Sequence, residues 1–379
     1  MRNTIPVFKP SLGEPEITAL EEIFKTGWIG MGPKTTEFEN NFASYVGAEY
    51  AIGVNSATAA LHLSCLALGI GAGDEVLVPT VTFVSTAHAV SYCGAVPVFV
   101  DVEADTLNID TKDLERKVTS KTRAIIPVHY GGHACRMDKI WKIAAKHGLK
   151  VIEDAAHACG SRYENQLIGG LEQSALTCFS FHAVKNLATG DGGMITTNRS
   201  DIANKLNRLR WVGINRSTWE RADYSNYDWY YEIHELGYKY HMNDITAAIG
   251  LVQLDKLEAA NKRRREIAAK YTEALKSVSW IDCPVERDYT KSACHNYVIK
   301  TPYRNSLNLY LKAKGISTGV HYMPLHLQPY YRKLSTAELP NAEDLWLKLL
   351  TLPLYPDLTD KEVAYIIESV LSFRKCKDE

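Results

Sequence analysis

From residue 51 to about residue 200, short β-branched runs alternate with helix-length amphipathic segments, the pattern of a parallel sheet with crossover helices. AIGVNS (51–56) reads as a strand, TAALHLSCLALG as the helix after it, EVLVPT (75–80) as a strand, and TFVSTAHAVSYCG as a helix closed by glycine. VPVFVDV (96–102), RAIIPVHY (123–130) and KVIEDAA (150–156) continue the strands, separated by the helical segments KDLERKVT and MDKIWKIAAKHG. ALTCFSFH (175–182) and GGMITTN (192–198) follow one another too closely for a helical crossover, which predicts a local antiparallel pair.

Residues 202–242 are richer in Trp, Tyr and Arg and include WVGINRSTWERADYSNYDWYYE, a polar and aromatic stretch without clear periodicity that reads as a long functional loop, with the 213–232 segment expected to help shape the pocket. Apolar residues at three and four spacing resume from about Asn243 to Val278 and predict one long helix bridging two domains. Beyond it, HNYVIK, a helix around SLNLYLKAKG, the run STGVHY and a closing helix near 360–373 read as a small α+β domain. A chain of 379 residues suits two domains at roughly 150 residues each, here divided as 1–242 and 243–379.

Composition narrows the function. Lys plus Arg is 43 against 44 for Asp plus Glu, so no global field exists to hold nucleic acid or an anionic membrane, and any anionic ligand must be gripped locally. No apolar run reaches the length of a membrane span, and the first residues lack the apolar core of a secretory signal, so the expectation is a cytoplasmic protein. The eight cysteines, Cys65 to Cys376, include no CxxC pair, and no histidines form HExxH, so no metal site is expected. The Arg263-Arg264-Arg265 run is a candidate for holding phosphates, although a solvated helix face accounts for it better.

In an open parallel sheet, ligands bind outside the carboxyl ends of the strands. At one such end, Asn55-Ser56-Ala57-Thr58 opens a helix whose free N–H groups and dipole suit a phosphate; taken alone it is also an ordinary N-cap. At another, Glu153-Asp154-Ala155-Ala156-His157 sets a carboxylate where it can accept from a protonated ring nitrogen, or simply cap the next turn. Lys185 follows the apolar strand ending in Ser180-Phe181 and precedes the tight Thr189-Gly190-Asp191-Gly192-Gly193 turn. A lysine partly desolvated there has a depressed pKa and can form a Schiff base with an aldehyde. Phe83 can stack on a ring or pack in the core. A phosphate cradle, an acid for a pyridine nitrogen and a Schiff-base lysine are together what pyridoxal 5′-phosphate requires.

The ordered motifs TGWI, NSATAAL, PTVTFVSTA, PVFVDV, PVHYGG, EDAAHACGS, SFHAVKN, GDGGMITTN, YKYHMNDITAAIGLVQL and HYMPLHLQP resemble the DegT/StrS-type sugar aminotransferases of the aspartate aminotransferase superfamily. The resemblance implies the α/β type I pyridoxal-phosphate fold, with a large, mostly parallel seven-stranded sheet and a smaller C-terminal α+β domain. It implies Lys185 as the Schiff-base lysine and Asp154 as the partner of the pyridine nitrogen. His157 and Phe83 then face the cofactor ring, and Ala57, Thr58 and Ser180 cradle the phosphate. Asn243 is similar to an asparagine that reaches the phosphate from the neighbouring subunit of a homodimer. His321 and Trp28 resemble residues of the substrate pocket. Asp191, His88 and Ala183 depart from the commoner Glu, Asn and Pro, and none of these changes removes a required group.

The implied activity moves an amino group, with L-glutamate as donor, to the C4 keto carbon of a nucleotide-linked keto-deoxysugar, in amino-sugar biosynthesis of the lipopolysaccharide O-antigen kind. The family's dehydratase branch carries histidine where Lys185 stands. A nicotinamide-dependent sugar oxidoreductase also suits the alternating pattern, but no GxGxxG follows the first strand.

Overall fold

The computed structural model describes residues 4–217, 219, 221, 229–335 and 337–374. Cys376 and much of the 213–232 loop lie outside the described residues.

Seven strands form the main sheet: β1 (Tyr50–Val54), β2 (Glu75–Pro79), β3 (Val96–Val100), β4 (Thr122–Ile125), β5 (Lys150–Asp154), and, after the short β6 (Arg162–Tyr163) and β7 (Gln166–Leu167), β8 (Leu176–Ser180) and β9 (Gly193–Thr197). Their order is β1-β9-β8-β5-β4-β2-β3. All run parallel except β9, which is antiparallel to both of its neighbours. The short link between β8 and β9 therefore makes the local antiparallel pair that its length requires. The predicted 123–130 strand is shorter than its sequence pattern, because Pro127 interrupts it; beyond it the chain keeps only an isolated bridge, Val128 to Asp154.

Alternate residues on the strands serve opposite faces. Val76, Val78 and Cys178 join the apolar cluster on one face, while Leu77 and Phe179 join the cluster on the other. Both faces are covered by helices, which is why β8 and β9 are buried along their whole length.

The register aligns the site. Val54 and Ser180 both pair with Gly193, and Asp154 pairs with Cys178, so the carboxyl ends of β1, β8 and β5 emerge at one edge. Gly193 sits where the first helical turn after β1 crosses β9: a Cβ there would stand 2.6 Å from the Ser56 carbonyl carbon.

The helix Asp244–Leu275 runs for 32 residues between two cores. Ala247 and Leu257 pack on the sheet, and Ile267, Tyr271 and Leu275 belong to a third cluster built around the antiparallel pair Tyr297–Lys300 and Leu349–Leu352. Ile5 joins that third cluster, whereas Leu325, Tyr331 and Leu339 pack with the sheet. At the helix start, Asp244 accepts from the backbone N–H groups of Gly32, Lys34 and Thr35 and from the Thr35 hydroxyl, tying it to the N-terminus of helix Pro33–Val46.

Candidate active site

A cavity of about 380 Å³ opens at the carboxyl edge of the sheet. Ala57, Thr58, Phe83, Asp154, His157, Ser180, Lys185 and His321 all line it. Trp28 and Asn243 do not.

Ser56 caps the helix Ala57–Ala67 by accepting from the Ala59 N–H at 3.1 Å, which leaves the first-turn N–H groups of Ala57 and Thr58 to face the cavity. The Thr58 and Ser85 hydroxyls are 2.7 Å apart, and Ser180 lies across from them on the β8 end. An anion is stabilised by such a set: donor groups, a helix dipole and hydroxyls, with no carboxylate among them.

Asp154 is 4% exposed. Its Oδ2 accepts from the Thr86 hydroxyl at 2.8 Å and its Oδ1 from the Ala156 N–H at 3.1 Å. Burial pushes its pKa above the ordinary carboxylate value, and the Thr86 and Ala156 bonds, with the charge of Lys185, oppose that push. A carboxylate in this position gains by meeting a cationic N–H.

Lys185 lies on the turn after β8, where its backbone N–H donates to the His182 carbonyl at 2.8 Å. Burial pushes its pKa down to about 8, and the Asp154 charge limits the fall. An appreciable fraction of this amine is thus neutral near neutral pH, the state that attacks an aldehyde.

His157 is fixed through both ring nitrogens. The Gly131 N–H donates to Nδ1 at 3.3 Å, and Nε2 lies 3.1 Å from the Tyr322 hydroxyl, which assigns the proton of the neutral ring to Nε2. Burial and the Lys185 charge hold this ring well below the ordinary histidine pKa. Phe83 is 57% exposed at the cavity mouth, with its ring 6.2 Å from that of Tyr322, and so belongs to the site rather than to the core. His321 bonds through Nδ1 to the Thr351 hydroxyl at 2.8 Å, and burial pushes its pKa down to about 4.

Asn243 instead caps its own helix, accepting from the Thr246 N–H at 2.9 Å. The Trp28 indole donates to the Met31 carbonyl at 3.2 Å and packs edge-on against Trp219 at 4.9 Å. Of the three consecutive arginines, none lines the cavity: Arg263 pairs with Asp360, and Arg264 is buried rather than solvated.

Several groups here escaped sequence reading. Thr86 stands one turn beyond Phe83, Tyr322 follows His321, and His295 places Nε2 3.5 Å from the Lys185 amine. A histidine just before an apolar strand was the one available signal for His295. Among the described residues, no group of three or more His, Cys, Asp or Glu side chains is placed to hold a metal ion, and no helix is long and apolar enough to cross a membrane.

A lysine amine, a buried carboxyl and an anion cradle opening on one cavity match the aldehyde, ring nitrogen and phosphate of pyridoxal phosphate. Known proteins agree with that chemistry. The profile of the DegT/DnrJ/EryC1/StrS aminotransferase family matches residues 10–371. The spore coat polysaccharide biosynthesis protein SpsC of Bacillus subtilis is 43% identical over 384 residues, covering 99% of this chain and 98% of its own. A Streptococcus pneumoniae protein described as a candidate sugar aminotransferase, solved in its PLP form, superimposes with a TM-score of 0.90 at 33% identity over 97% of each chain. The Helicobacter pylori aminotransferase PseC, involved in pseudoaminic acid biosynthesis, superimposes with a TM-score of 0.89 at 29% identity, covering 97% of this chain and 98% of its own. Near-complete coverage by the family, joined to the fold and this cavity, makes the chain a member of the DegT/DnrJ/EryC1/StrS family of pyridoxal-phosphate-dependent sugar aminotransferases.

Proposed function

We propose that this aminotransferase takes an amino group from L-glutamate and delivers it to the C4 keto carbon of a nucleotide-linked keto-deoxysugar, making an amino sugar for a surface polysaccharide in the cytoplasm. The observation that carries the amino-transfer part is a lysine of depressed pKa sharing a cavity with a buried carboxyl. The C4 assignment is supported by the Asp-Ala-Ala-His and His-Ala-Val-Lys-Asn forms of the motifs.

Bound pyridoxal phosphate supplies an electron sink conjugated to the carbon that gains or loses a proton. Asp154 would hold the proton of the ring nitrogen, and the Thr86 hydroxyl fixes that carboxylate in place. His157 and Phe83, both on the cavity wall, would contact the ring. The Ala57 and Thr58 N–H groups, with Ser180, would hold the phosphate. With the cofactor bound, Lys185 would be the amine that takes up and returns a proton at the substrate, the role its depressed pKa and its place on the cavity wall suit. His321, on the cavity wall, would contact substrate, whereas Trp28 lies outside this cavity. A division at 242/243 would make the long helix the bridge between the two cores it touches.

Asn243 of one subunit completes the phosphate site of its partner in a homodimer, which accords with its place outside the cavity of its own chain. Mixing a Lys185→Ala chain with an Asn243→Ser chain tests this, because serine still caps the helix. Shared sites leave one intact site in each mixed dimer and restore activity; sites made within one chain restore none.

The activity itself is tested by absorbance and mass spectrometry. L-glutamate bleaches the visible band of the lysine-bound cofactor, and a nucleotide-linked 4-ketosugar restores it with an aminated product. A band unmoved by glutamate rejects the donor. Restoration only by 3-ketosugars rejects the C4 assignment.

A further inference from the structure

His295 is nearly fully buried, and three neighbours fix its ring. Phe8 stacks on one face with centroids 5.3 Å apart and planes 7° from parallel, and His157 lies 4.5 Å away. The third neighbour is Asn186, the residue after Lys185, whose Oδ1 is 3.1 Å from His295 Nδ1.

Asn261 Nδ2 donates to the Cys159 carbonyl at 3.0 Å, so Asn261 Oδ1 is an acceptor. Asn186 Nδ2 donates to that Oδ1 at 2.7 Å and to the Ala293 carbonyl at 2.9 Å. Asn186 Oδ1 is then the end facing His295, and it can only accept. The proton of the neutral imidazole is therefore on Nδ1, and Nε2 offers a bare lone pair 3.5 Å from the Lys185 amine. That separation is at the long end of hydrogen bonding, within reach of a small turn of the lysine side chain.

We propose that His295 is a positioning residue for Lys185: its Nε2 accepts one N–H of the lysine amine and so turns the amine's lone pair into the cavity, toward the carbons between which the proton moves. No bond to His295 forms or breaks. The proposal deepens the transaminase reading and rests on Lys185 being the reacting amine. Burial first, then the charge of Lys185 and more weakly that of Arg264, with any charge on the neighbouring His157 or His321 acting the same way, hold His295 well below the ordinary histidine pKa, so it stays an acceptor at Nε2. Asp154 is the acidic group facing Lys185 and acts on it from the end of β5. Asn186 couples the two through the backbone, because the turn that presents Lys185 also presents the amide that orients His295.

Three substitutions separate positioning from packing. His295→Asn keeps the bond to Asn186 and loses the reach to Lys185. His295→Phe keeps the stack on Phe8 and loses both bonds. His295→Gln restores an acceptor near the amine.

In the cofactor-free full chain, reductive methylation of Lys185, read by mass spectrometry of its peptide against pH, has a midpoint near 8 in the unsubstituted protein. The Asn and Phe variants lower that midpoint by about one unit, because the ammonium loses an acceptor, and the Gln variant returns it. In the loaded enzyme, kcat falls roughly 10- to 100-fold in the Asn and Phe variants with KM for the amino acid held within about threefold, and Gln recovers most of the loss. Midpoints unchanged in all three variants, with only the melting temperature reduced, overturn the positioning role. Borohydride reduction of the loaded, unsubstituted protein keeps the two readings separate: cofactor fixed to a residue other than Lys185 rejects Lys185 as the reacting amine, whatever the midpoints show.

Discussion

Two lysines withdrawn from bulk water show why one is chemistry and the other architecture. Lys300 ends its strand with its ammonium donating to the Ala104 carbonyl at 2.7 Å and the Asp105 carbonyl at 3.2 Å, and the charge of Asp282 favours its protonated form. Burial lowers the pKa of both lysines, but Lys185 falls to about 8, facing a neutral imidazole and a cavity instead of a pair of carbonyls. Burial alone does not make an amine reactive. What matters is whether the charged form is left short of acceptors while the neutral form has access to a ligand.

The sharpest way to break the contrast is to remove the reactive amine. Lys185→Ala lowers turnover by at least about a thousandfold while pyridoxamine phosphate still binds, read by steady-state assay and absorbance. Turnover retained near the unsubstituted rate ends the assignment. Asp154→Asn comes next, with turnover reduced roughly a hundredfold and the chromophore's absorbance shifted, because an amide does not hold the ring nitrogen's proton as a carboxylate does. An unshifted spectrum with normal turnover would show that Asp154 only caps its turn.

Lys300→Met reverses the pattern. It leaves two carbonyls without their donor and costs about 1–3 kcal/mol in urea unfolding, while kcat stays within about twofold. A large loss of kcat at full stability would erase the distinction between the two lysines.

The smallest effect is on stability and depends on pH. The folded pKa of Lys185, about 8, lies below its ordinary value of 10.5, so the unfolded chain binds more protons between these values. The resulting cost to the cofactor-free fold is full below pH 8 and vanishes as pH rises toward 10.5. Lys185→Met therefore raises the melting temperature of cofactor-free protein by a few degrees at pH 7 and by less at pH 10. An equal gain at both pH values would show that Lys185 carries no buried charge.

The chain alone determined one half of the site. NSAT, EDAAH and SFHAVK are each contiguous, each follows an apolar strand, and parallel pairing must bring such strand ends to one edge. Local pattern also marked the long helix and the reversed pair, since helical period and link length are properties of neighbouring residues.

The other half belongs to tertiary structure. His295 meets Lys185 across 110 residues of chain, and Tyr322 meets His157 across 165, so no spacing rule announces either contact. The tautomer of His295 depends on Asn186, whose own orientation depends on Asn261 of the long helix. Arg264 likewise reads as a solvated charge in the sequence and becomes buried only when the helix packs. Periodicity reports which face of an element turns inward; which distant side chain waits there, and which way its hydrogen bonds run, is decided when the elements pack.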